Sequence, residues 1–369
     1  MSAKATPLER KLIELIRRAG PITFRDFMQL ALYDVELGYY NTERLKIGAA
    51  GDYYTSSNVH PVFGATLARA FAELWREAFD GEPLVLVEMG AGTGQLAADV
   101  LATLRDEQTV LFRDVRYIIV EASPAMLARQ GERLMGFGER VEWGTLEEIE
   151  RQPLTGIFFA NELIDALPVH RLRWKAGGIQ EQFVRLEGEQ LALYWTAPSG
   201  PELARYVEGL GLRLQENQII EVNLDALAWL TQLSRAINGG FLVTIDYGDV
   251  AAHLYAPDRA HGTLRSFYRH QLIDSPLARI GEQDITASVN FTALIEHGRG
   301  GGFALVSYER QAAFLLRHGL IERIVALHKT DDTVEEMKAR LAIKNLFVPG
   351  GASDNFRVLV QKKRLEAGD

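Results

Sequence analysis

The stretch "LVLVEMGAGTGQL", residues 84–96, constrains the fold more than any other part of the sequence. Its apolar run ends in an acid, Glu88, and three glycines follow at alternate positions, Gly90, Gly92 and Gly94. A short, continuous apolar run is typical of a strand buried on both faces, and glycine lets the chain turn sharply after it. The stretch therefore predicts a strand, a tight turn and a helix, with the turn at a sheet edge where ligands bind.

Similar apolar runs recur along the chain and indicate the fold class. "RYIIVEA", "GIFFAN" and "GFLVTID" are separated from one another by helix-like segments. This alternation predicts an α/β fold with a doubly wound, mostly parallel, Rossmann-like sheet. The segment "HRLRWKAGGIQEQFVRLEGEQLALYWT" instead alternates and turns at glycines, which predicts an inserted α+β subdomain with antiparallel strands. A helical segment from Pro201 to Asn238 and an edge strand at "NFRVLVQKK" complete the predicted elements.

The N-terminal region is predicted to be helical. Thr6 begins a capping box with proline at the first helical position, and Thr23 opens a second helix. From Pro61 to Phe79 the apolar residues recur at helical spacing. We therefore expect a helical region with a ligand-covering loop over 1–80, an α/β domain over 81–369, an inserted subdomain at about 172–238 and a substrate-side loop at about 249–290.

Composition and charge exclude several classes of protein. The 369 residues include no cysteine, which rules out disulfides, and the eight histidines form no ligand pattern, so no metal site is predicted. The net charge of −9 argues against a broad nucleic-acid-binding surface. The N-terminal segment lacks the apolar core of a signal peptide and carries Glu9 and Glu14, which transit peptides avoid. Because no apolar run is long enough to span a bilayer either, the sequence predicts a soluble, cytoplasmic protein.

The ligand of the glycine turn depends on a second acid. The dinucleotide fingerprint needs glycine where Gln95 stands, and no Gly-Lys-Ser/Thr follows, so no pyrophosphate is specified. On its own the turn is explained equally well as a tight connection. The run "RYIIVEA", however, places Glu121 at the end of a second strand, where an acid can accept both hydroxyls of a ribose. Two acids with glycines between them suit a ribose and a positive charge, and so predict S-adenosylmethionine.

This combination resembles the E/D-x-G-x-G-x-G strand end of class I methyltransferases. Five further segments are similar to the MidA family of methyltransferases, namely "GYYNTERLKIGAAGDYYTSSNVHPVFG", "FFANELIDALPVHR", "TIDYG", "GTLRSFYRHQLIDSPLARIGEQDITASVNFTAL" and "QAAFLLRHGL". The similarity runs from about Pro21 to the C-terminus. Mitochondrial members of that family assemble respiratory complex I and methylate an arginine on one of its subunits. The resemblance therefore implies an S-adenosylmethionine-dependent methyltransferase acting on a protein arginine, with a complex I subunit as one candidate partner and the oligomeric state open.

The residues after "GIFFA" are the candidate catalytic group. Asn161, Glu162 and Asp165 follow this strand, and His170 lies shortly beyond them. Carboxylates can orient a guanidinium and stabilise its charge, and two acids three residues apart share one face if the turn is helical. The alternative is a helix N-terminus, with Asn161 as its cap and acids in the first turn.

The candidate cofactor residues come from three parts of the chain. The strand ends and the glycine turn supply Glu88, Gly90, Gly92, Gly94, Glu121, Leu146 and Asn161. The resemblance adds Asp52, Tyr54 and Thr55 as a cover over the amino-acid end of the cofactor. Composition alone favours a solvated surface loop for those three residues.

Three other functions are possible on sequence grounds. One is an assembly chaperone that binds its partner and uses the cofactor only as a structural ligand. Nucleic-acid methylation is disfavoured by the acidic charge and by "NELI", which stands where a base-clamping "NPPY"-like motif is expected. A nicotinamide oxidoreductase is disfavoured by Gln95.

Overall fold

The structure is a computed structural model, and it describes residues 5–42, 60–79, 81–326, 343–344, 346–348 and 352–365. The predicted cover residues Asp52, Tyr54 and Thr55 lie outside these ranges. The chain divides into two compact units, each built from separated segments. The first unit comprises Met1–Tyr53, Ile164–Ala228 and Gly248–Leu294, and the second comprises Tyr54–Leu163, Trp229–Tyr247 and Ile295–Asp369.

The described residues contain both strands and helices throughout. The strands are β1 (Ile22–Thr23), β2 (Val85–Met89), β3 (Arg116–Val120), β4 (Val141–Gly144), β5 (Leu154–Asn161), β6 (His170–Lys175), β7 (Gly178–Glu187), β8 (Gln190–Thr196), β9 (Ile219–Val222), β10 (Ile237–Asp249), β11 (Arg265–Tyr268), β12 (Gln271–Leu272), β13 (Asp284–Thr286), β14 (Val289–Asn290), β15 (Phe303–Arg310) and β16 (Phe356–Lys363). The α-helices are α1 (Pro7–Ala19), α2 (Phe24–Tyr33), α3 (Val62–Phe79), α4 (Gln95–Glu107), α5 (Thr109–Arg113), α6 (Pro124–Leu134), α7 (Leu146–Arg151), α8 (Pro201–Gly209), α9 (Leu224–Ala236), α10 (Ala251–Leu254), α11 (Phe291–Gly300), α12 (Gln311–Arg317) and α13 (Leu320–Ala326). Short 3₁₀ helices cover Tyr39–Asn41, Met135–Arg140 and Ala352–Asn355.

The second unit is built on a large twisted sheet. Its strands lie in the order β15-β16-β10-β5-β2-β3-β4. The five strands from β10 to β4 are parallel, while β16 pairs antiparallel with both β10 and β15. This arrangement confirms the predicted mostly parallel α/β sheet. The predicted edge position of "NFRVLVQKK" is wrong, because β16 lies between two strands and β15 forms the edge.

Helix α3 shows how the apolar spacing of the sequence becomes packing in this unit. Phe63, Leu67, Phe71 and Trp75 recur every four residues and are all buried on the helix face that meets the core. The ring of Phe71 lies 4.8 Å from the ring of Phe159, which projects from the buried strand β5. The predicted helix between Pro61 and Phe79 is confirmed.

The first unit joins the N-terminal helices to the insertion. Strand β1 pairs antiparallel with β7, with Ile22 opposite Val184, and β6, β8 and β9 complete a five-stranded sheet. One apolar core contains residues of both regions, namely Leu8, Leu12, Ile16, Phe24, Phe27, Met28, Val169, Val184, Ile280 and Ile285. The predicted antiparallel strands after residue 170 are therefore present, and they share a core with α1 and α2.

The predicted helical segment from Pro201 to Asn238 is wrong. Helix α8 ends at Gly209, strand β9 intervenes, and α9 begins only at Leu224. The backbone turns at Gly211 and Asn217, whose φ angles are +62° and +63°, values that a helix does not allow. The apolar residues of β9 then pair with β6 instead of continuing a helical stripe.

In the part of the chain that the structure describes, no helix combines the length and the apolar character needed to cross a membrane.

The pairing of β10 with β5 depends on glycine at one position. Gly240 has a φ of +121°, and a Cβ atom there would lie 2.0 Å from the carbonyl oxygen of Gly156. We expect Gly240→Ala to lower the free energy of unfolding by about 2–5 kcal/mol, since left-handed backbone and overpacking both disfavour alanine. Urea denaturation measures the change.

The matched control is Gly81→Ala. Gly81 also has a positive φ, +86°, but nothing lies within 4 Å of the added Cβ. We expect it to cost only about 1–2 kcal/mol, the backbone contribution alone. Equal losses for the two variants would show that the close approach of the two strands does not contribute.

Candidate active site

The turn after β2 takes the shape that its glycines allow. Gly90, Gly92 and Gly94 have φ angles of +71°, +54° and +74°, all in the left-handed region. Gly94 precedes the first residue of α4, and a Cβ atom at Gly90 would lie 2.8 Å from the Leu163 side chain. The backbone N–H of Gly90 donates to the carbonyl oxygen of Val120, 2.8 Å away. The turn is therefore fixed against the end of β3.

The topology of the sheet places this turn at the point where the order of the strands reverses. Strand β2 lies between β3 on one side and β5 on the other, and all three are parallel. Their carboxyl ends carry Glu88, Glu121 and Asn161, so the structure brings these three predicted residues to one edge. In open α/β sheets, ligands bind at such a switch point.

Glu88 is held in an apolar environment at this edge. It is only 3% exposed, and its carboxylate accepts a hydrogen bond from the Tyr117 hydroxyl, 2.6 Å from Oε2. Burial raises the pKa of Glu88 to about 7, the Tyr117 hydrogen bond opposes this effect, and the charge of Glu121 adds to it. A cationic ligand would offset both the burial and the repulsion.

Glu121 is more extensively hydrogen-bonded than Glu88. Its Oε1 accepts from the backbone N–H of Ser123 at 2.9 Å, and its Oε2 accepts from the Gln130 amide at 3.1 Å. Burial raises the pKa of Glu121, and these hydrogen bonds act against that rise. The carboxylate is therefore oriented before any ligand arrives.

Gln130 belongs to the site although the sequence argument did not identify it. It lies on α6 between Met126 and Leu134 on the buried face, and its amide also donates to the Gly92 carbonyl oxygen at 2.8 Å. The spacing was the available signal, because a polar residue four positions from apolar residues on either side interrupts a buried stripe.

Leu146 lies beyond the end of β4, the strand next to β3. Thr145 caps α7 through a capping box with Glu148, and Leu146 is the first residue of that helix. Its side chain is buried. The structure thus brings Leu146 to the same edge of the sheet, as an apolar residue.

Strand β5 ends at Asn161, and Glu162 follows it in an unusual backbone conformation. The Asn161 amide donates to Glu162 Oε1 at 3.2 Å, while its buried Oδ1 has no hydrogen-bond partner among the described residues. Glu162 has a φ of +53°, and its N–H donates to the Ile245 carbonyl oxygen at 2.9 Å. The turn is not helical, so the expected single face for Glu162 and Asp165, like the alternative of an Asn161 helix cap, is wrong. The left-handed Glu162 prevents the helix.

Asp165 and His170 belong to the first unit. The Asp165 carbonyl oxygen accepts from the Ala287 N–H at 2.9 Å. His170 is buried, and its Nδ1 lies 2.7 Å from Oε1 of Glu181. The other oxygen of the Glu181 carboxylate accepts from the Ser199 N–H. Although burial opposes ionisation, the hydrogen bonds from His170 and Ser199 keep the pKa of Glu181 below its ordinary value. These contacts explain His170 as part of a buried pair, and its catalytic role stays a prediction.

The residues at the sheet edge fit S-adenosylmethionine in three respects. Two carboxylates suit its positive charges, and the oriented Glu121 suits a pair of ribose hydroxyls. The unpartnered Oδ1 of Asn161 can accept from a ligand N–H or O–H group. Among the described residues, no group of three or more acids and histidines forms a metal site.

Comparisons with known proteins agree with this geometry. Residues 66–308 match the model of a family described as "Putative S-adenosyl-L-methionine-dependent methyltransferase". The chain is 28% identical to rat "Protein arginine methyltransferase NDUFAF7, mitochondrial", with 100% of this chain and 87% of that protein covered. The human protein of the same name is 27% identical, with 98% and 85% covered.

A solved structure is similar over nearly the whole chain. It is the crystal structure of a COG1565 superfamily member from Burkholderia thailandensis bound to S-adenosyl-homocysteine. The identity is 29%, the TM-score is 0.88, and 98% of this chain and 93% of that chain are covered.

The predicted cytoplasmic location is contradicted by the curated relatives. The rat, mouse and human proteins are all named mitochondrial. The prediction was wrong because it inferred a location from the composition of one short segment and from the lack of apolar runs.

The buried carboxylate of Glu88 makes stability depend on pH. Between its ordinary pKa of 4.5 and about 7, the folded protein keeps a proton that the unfolded chain has lost. Stability therefore falls as the pH rises through this window, by roughly 3 kcal/mol in total, and the loss is complete above it. We expect Glu88→Gln to be more stable than the native protein at pH 8 and close to it at pH 5, measured by urea denaturation without ligand.

Glu142→Gln is the control for this measurement. Glu142 is partly exposed, and its ion pair with Arg116 lowers its pKa below the ordinary value. Its contribution is fully present at both pH 5 and pH 8, so its effect should not change between them. A Glu88→Gln effect that is equally independent of pH would contradict the account of Glu88.

Proposed function

Because the chain belongs to the family of S-adenosyl-L-methionine-dependent methyltransferases, we propose that it methylates an arginine side chain of a protein substrate. The family match confirms the predicted cofactor and the predicted class of enzyme. The arginine acceptor is supported by the relatives, which are named protein arginine methyltransferases. When bound, the cofactor supplies a methyl group activated by its sulfonium charge.

One observation about this chain carries the proposal, the backbone of Glu162. A left-handed conformation costs a residue with a side chain about 1–2 kcal/mol, and such strain concentrates at functional sites. Here the left-handed residue follows the end of β5 and carries a carboxylate, which accepts a hydrogen bond from the Asn161 amide. The hydrogen bond from Glu162 N–H to the Ile245 carbonyl oxygen holds the residue in this conformation.

Glu162 can serve the acceptor in two ways. A carboxylate accepts two parallel N–H bonds from a guanidinium, which fixes the plane of the group and the direction of the attacking nitrogen. The bound cofactor would supply the methyl group, whose bond to sulfur would break with its electron pair on sulfur as the nitrogen–carbon bond formed. The nitrogen then loses one proton, and Glu162 is the proposed acceptor of that proton. The preorganised charge stabilises the transition state more than the free reactants.

The remaining predicted residues enter as parts of the same proposal. Asp165 and His170 follow Glu162 in the chain and are proposed to contribute to acceptor binding. Asp52, Tyr54 and Thr55 are proposed to cover the amino-acid end of the cofactor. A complex I subunit is a candidate substrate on the family resemblance alone. The alternative of a chaperone without catalysis is not favoured, because the relatives are named as methyltransferases.

The acceptor role of Glu162 is tested by Glu162→Gln. The amide keeps the shape of the carboxylate but loses its charge, so methyl transfer should fall by roughly a hundredfold or more. Affinity for S-adenosyl-homocysteine should stay within about threefold of the native value, since Glu121 and the glycine turn are unchanged. Lysate proteins are treated with the enzyme and labelled cofactor, and the methylarginine released from them is then quantified by mass spectrometry. Calorimetry gives the affinity.

Glu142→Gln again provides a matched control, because it removes a partly exposed carboxylate from β4. Native activity is expected for this variant. Native activity of Glu162→Gln would remove Glu162 from the mechanism. Label found on residues other than arginine would overturn the proposed acceptor while leaving the cofactor site intact.

A further inference from the structure

We infer that Gln130 is a positioning residue of the cofactor site, which fixes the Glu121 carboxylate against the glycine turn and is itself fixed by Trp143. This inference rests on the assignment of Glu121 to the cofactor. It concerns neither the methyl acceptor nor Glu162. Hydrogen bonds join the side chain of Gln130 on α6 to Trp143 on β4 and to Glu121, which follows β3.

The Gln130 amide donates two hydrogen bonds through its nitrogen and accepts one through its oxygen. Its Nε2 donates to the Gly92 carbonyl oxygen at 2.8 Å and to Glu121 Oε2 at 3.1 Å. Its Oε1 accepts from the Trp143 indole N–H at 3.0 Å. The side chain is completely buried. A single amide therefore connects the turn after β2, the acid after β3 and the end of β4.

Trp143 determines which way the amide faces. An indole nitrogen can only donate, so the amide oxygen must face Trp143 and the amide nitrogen must face Gly92 and Glu121. The reversed amide would bring its N–H groups against the indole N–H and its oxygen against two acceptors. The amide is thus held in the one orientation that donates to Glu121.

This orientation leaves Glu121 prepared for a diol. One carboxylate oxygen is bound by the Ser123 N–H and the other by Gln130, so the plane of the carboxylate is set from both sides. Each ionised oxygen retains capacity for a further hydrogen bond. Preorganisation of this kind removes an ordering cost from ligand binding.

A purely structural role explains the residue less well. Met126 and Leu134 occupy the neighbouring positions of the buried stripe, where an apolar side chain would pack without the desolvation of an amide. A Cβ atom at Gly94 would lie 3.3 Å from Gln130 Cγ, so the turn and the side chain pack closely together. The polar group is retained at the one point of the stripe that faces the turn and Glu121.

The test measures S-adenosyl-homocysteine binding by calorimetry for Gln130→Leu, Glu121→Gln and the double variant. Gln130→Leu should weaken binding about tenfold or more, the scale for losing a hydrogen bond to a charged group. Because Gln130 acts through Glu121, the double variant should bind no more weakly than Glu121→Gln alone. At saturating cofactor the turnover number of Gln130→Leu should stay near native, so that the loss appears in KM.

Two further variants separate positioning from folding. Gln218 is also fully buried, donates to the Tyr255 and Ala256 carbonyl oxygens and accepts from the Gln215 N–H. Gln218→Leu makes the same chemical change in the first unit, and should lower stability without changing affinity. Trp143→Phe removes the hydrogen bond that orients the amide and part of an aromatic side chain that is 42% exposed. It should fold and bind about two- to fivefold more weakly.

The affinities of these variants distinguish the role of Gln130 from the assignment of Glu121 to the cofactor. If Glu121→Gln weakens binding but Gln130→Leu and Trp143→Phe do not, the inference is wrong and the cofactor site stands. Losses that add fully in the double variant would show that Gln130 does not act through Glu121. If Glu121→Gln binds normally, the assignment of Glu121 fails and the inference fails with it. None of these results bears on arginine as the acceptor.

Discussion

The site depends on two carboxylates that the sheet holds close together in a poorly solvated place. The parallel pairing of β2 with β3 aligns Met89 with Val120 and so brings Glu88 and Glu121 to the same edge of the sheet. Their charges oppose each other, and burial opposes the charge of each. Local hydrogen bonds offset part of this unfavourable free energy. Tyr117 donates to Glu88, and Ser123 and Gln130 donate to Glu121. A cation at this edge would offset the remaining cost, so the same feature that destabilises the fold favours a cationic ligand.

The fold could be predicted largely from patterns that have a local physical cause. Continuous apolar runs identified the buried parallel strands, and helical spacing identified α3, because both depend only on neighbours along the chain. The order of acids and glycines also located Glu88 and Glu121. The interior position of β16 could not be obtained this way, since "NFRVLVQKK" alternates as an edge strand does, and only its pairing with β10 and β15 decides.

The parts of the site that sequence could not supply arise from tertiary contacts or from backbone conformation. Gln130 and Tyr117 reach the acids from α6 and β3 through hydrogen bonds between elements, so the spacing that marks Gln130 as unusual cannot identify its partners. Glu162 and Asp165 were expected on one helical face, but the left-handed backbone of Glu162 is set by its bond to Ile245 on β10. The helical prediction for residues 201–238 failed because β9 obtains its stability from pairing with β6.

We propose that the ends of β2, β3 and β5 form the cofactor site, with Glu121 as its ribose ligand. A crystal structure of this chain with S-adenosyl-homocysteine tests it most directly. We expect both ribose hydroxyls within hydrogen-bond distance of the Glu121 carboxylate, and a ligand donor within that distance of Asn161 Oδ1. A ribose bound away from Glu121, with that carboxylate bonded only to Ser123 and Gln130, would contradict it.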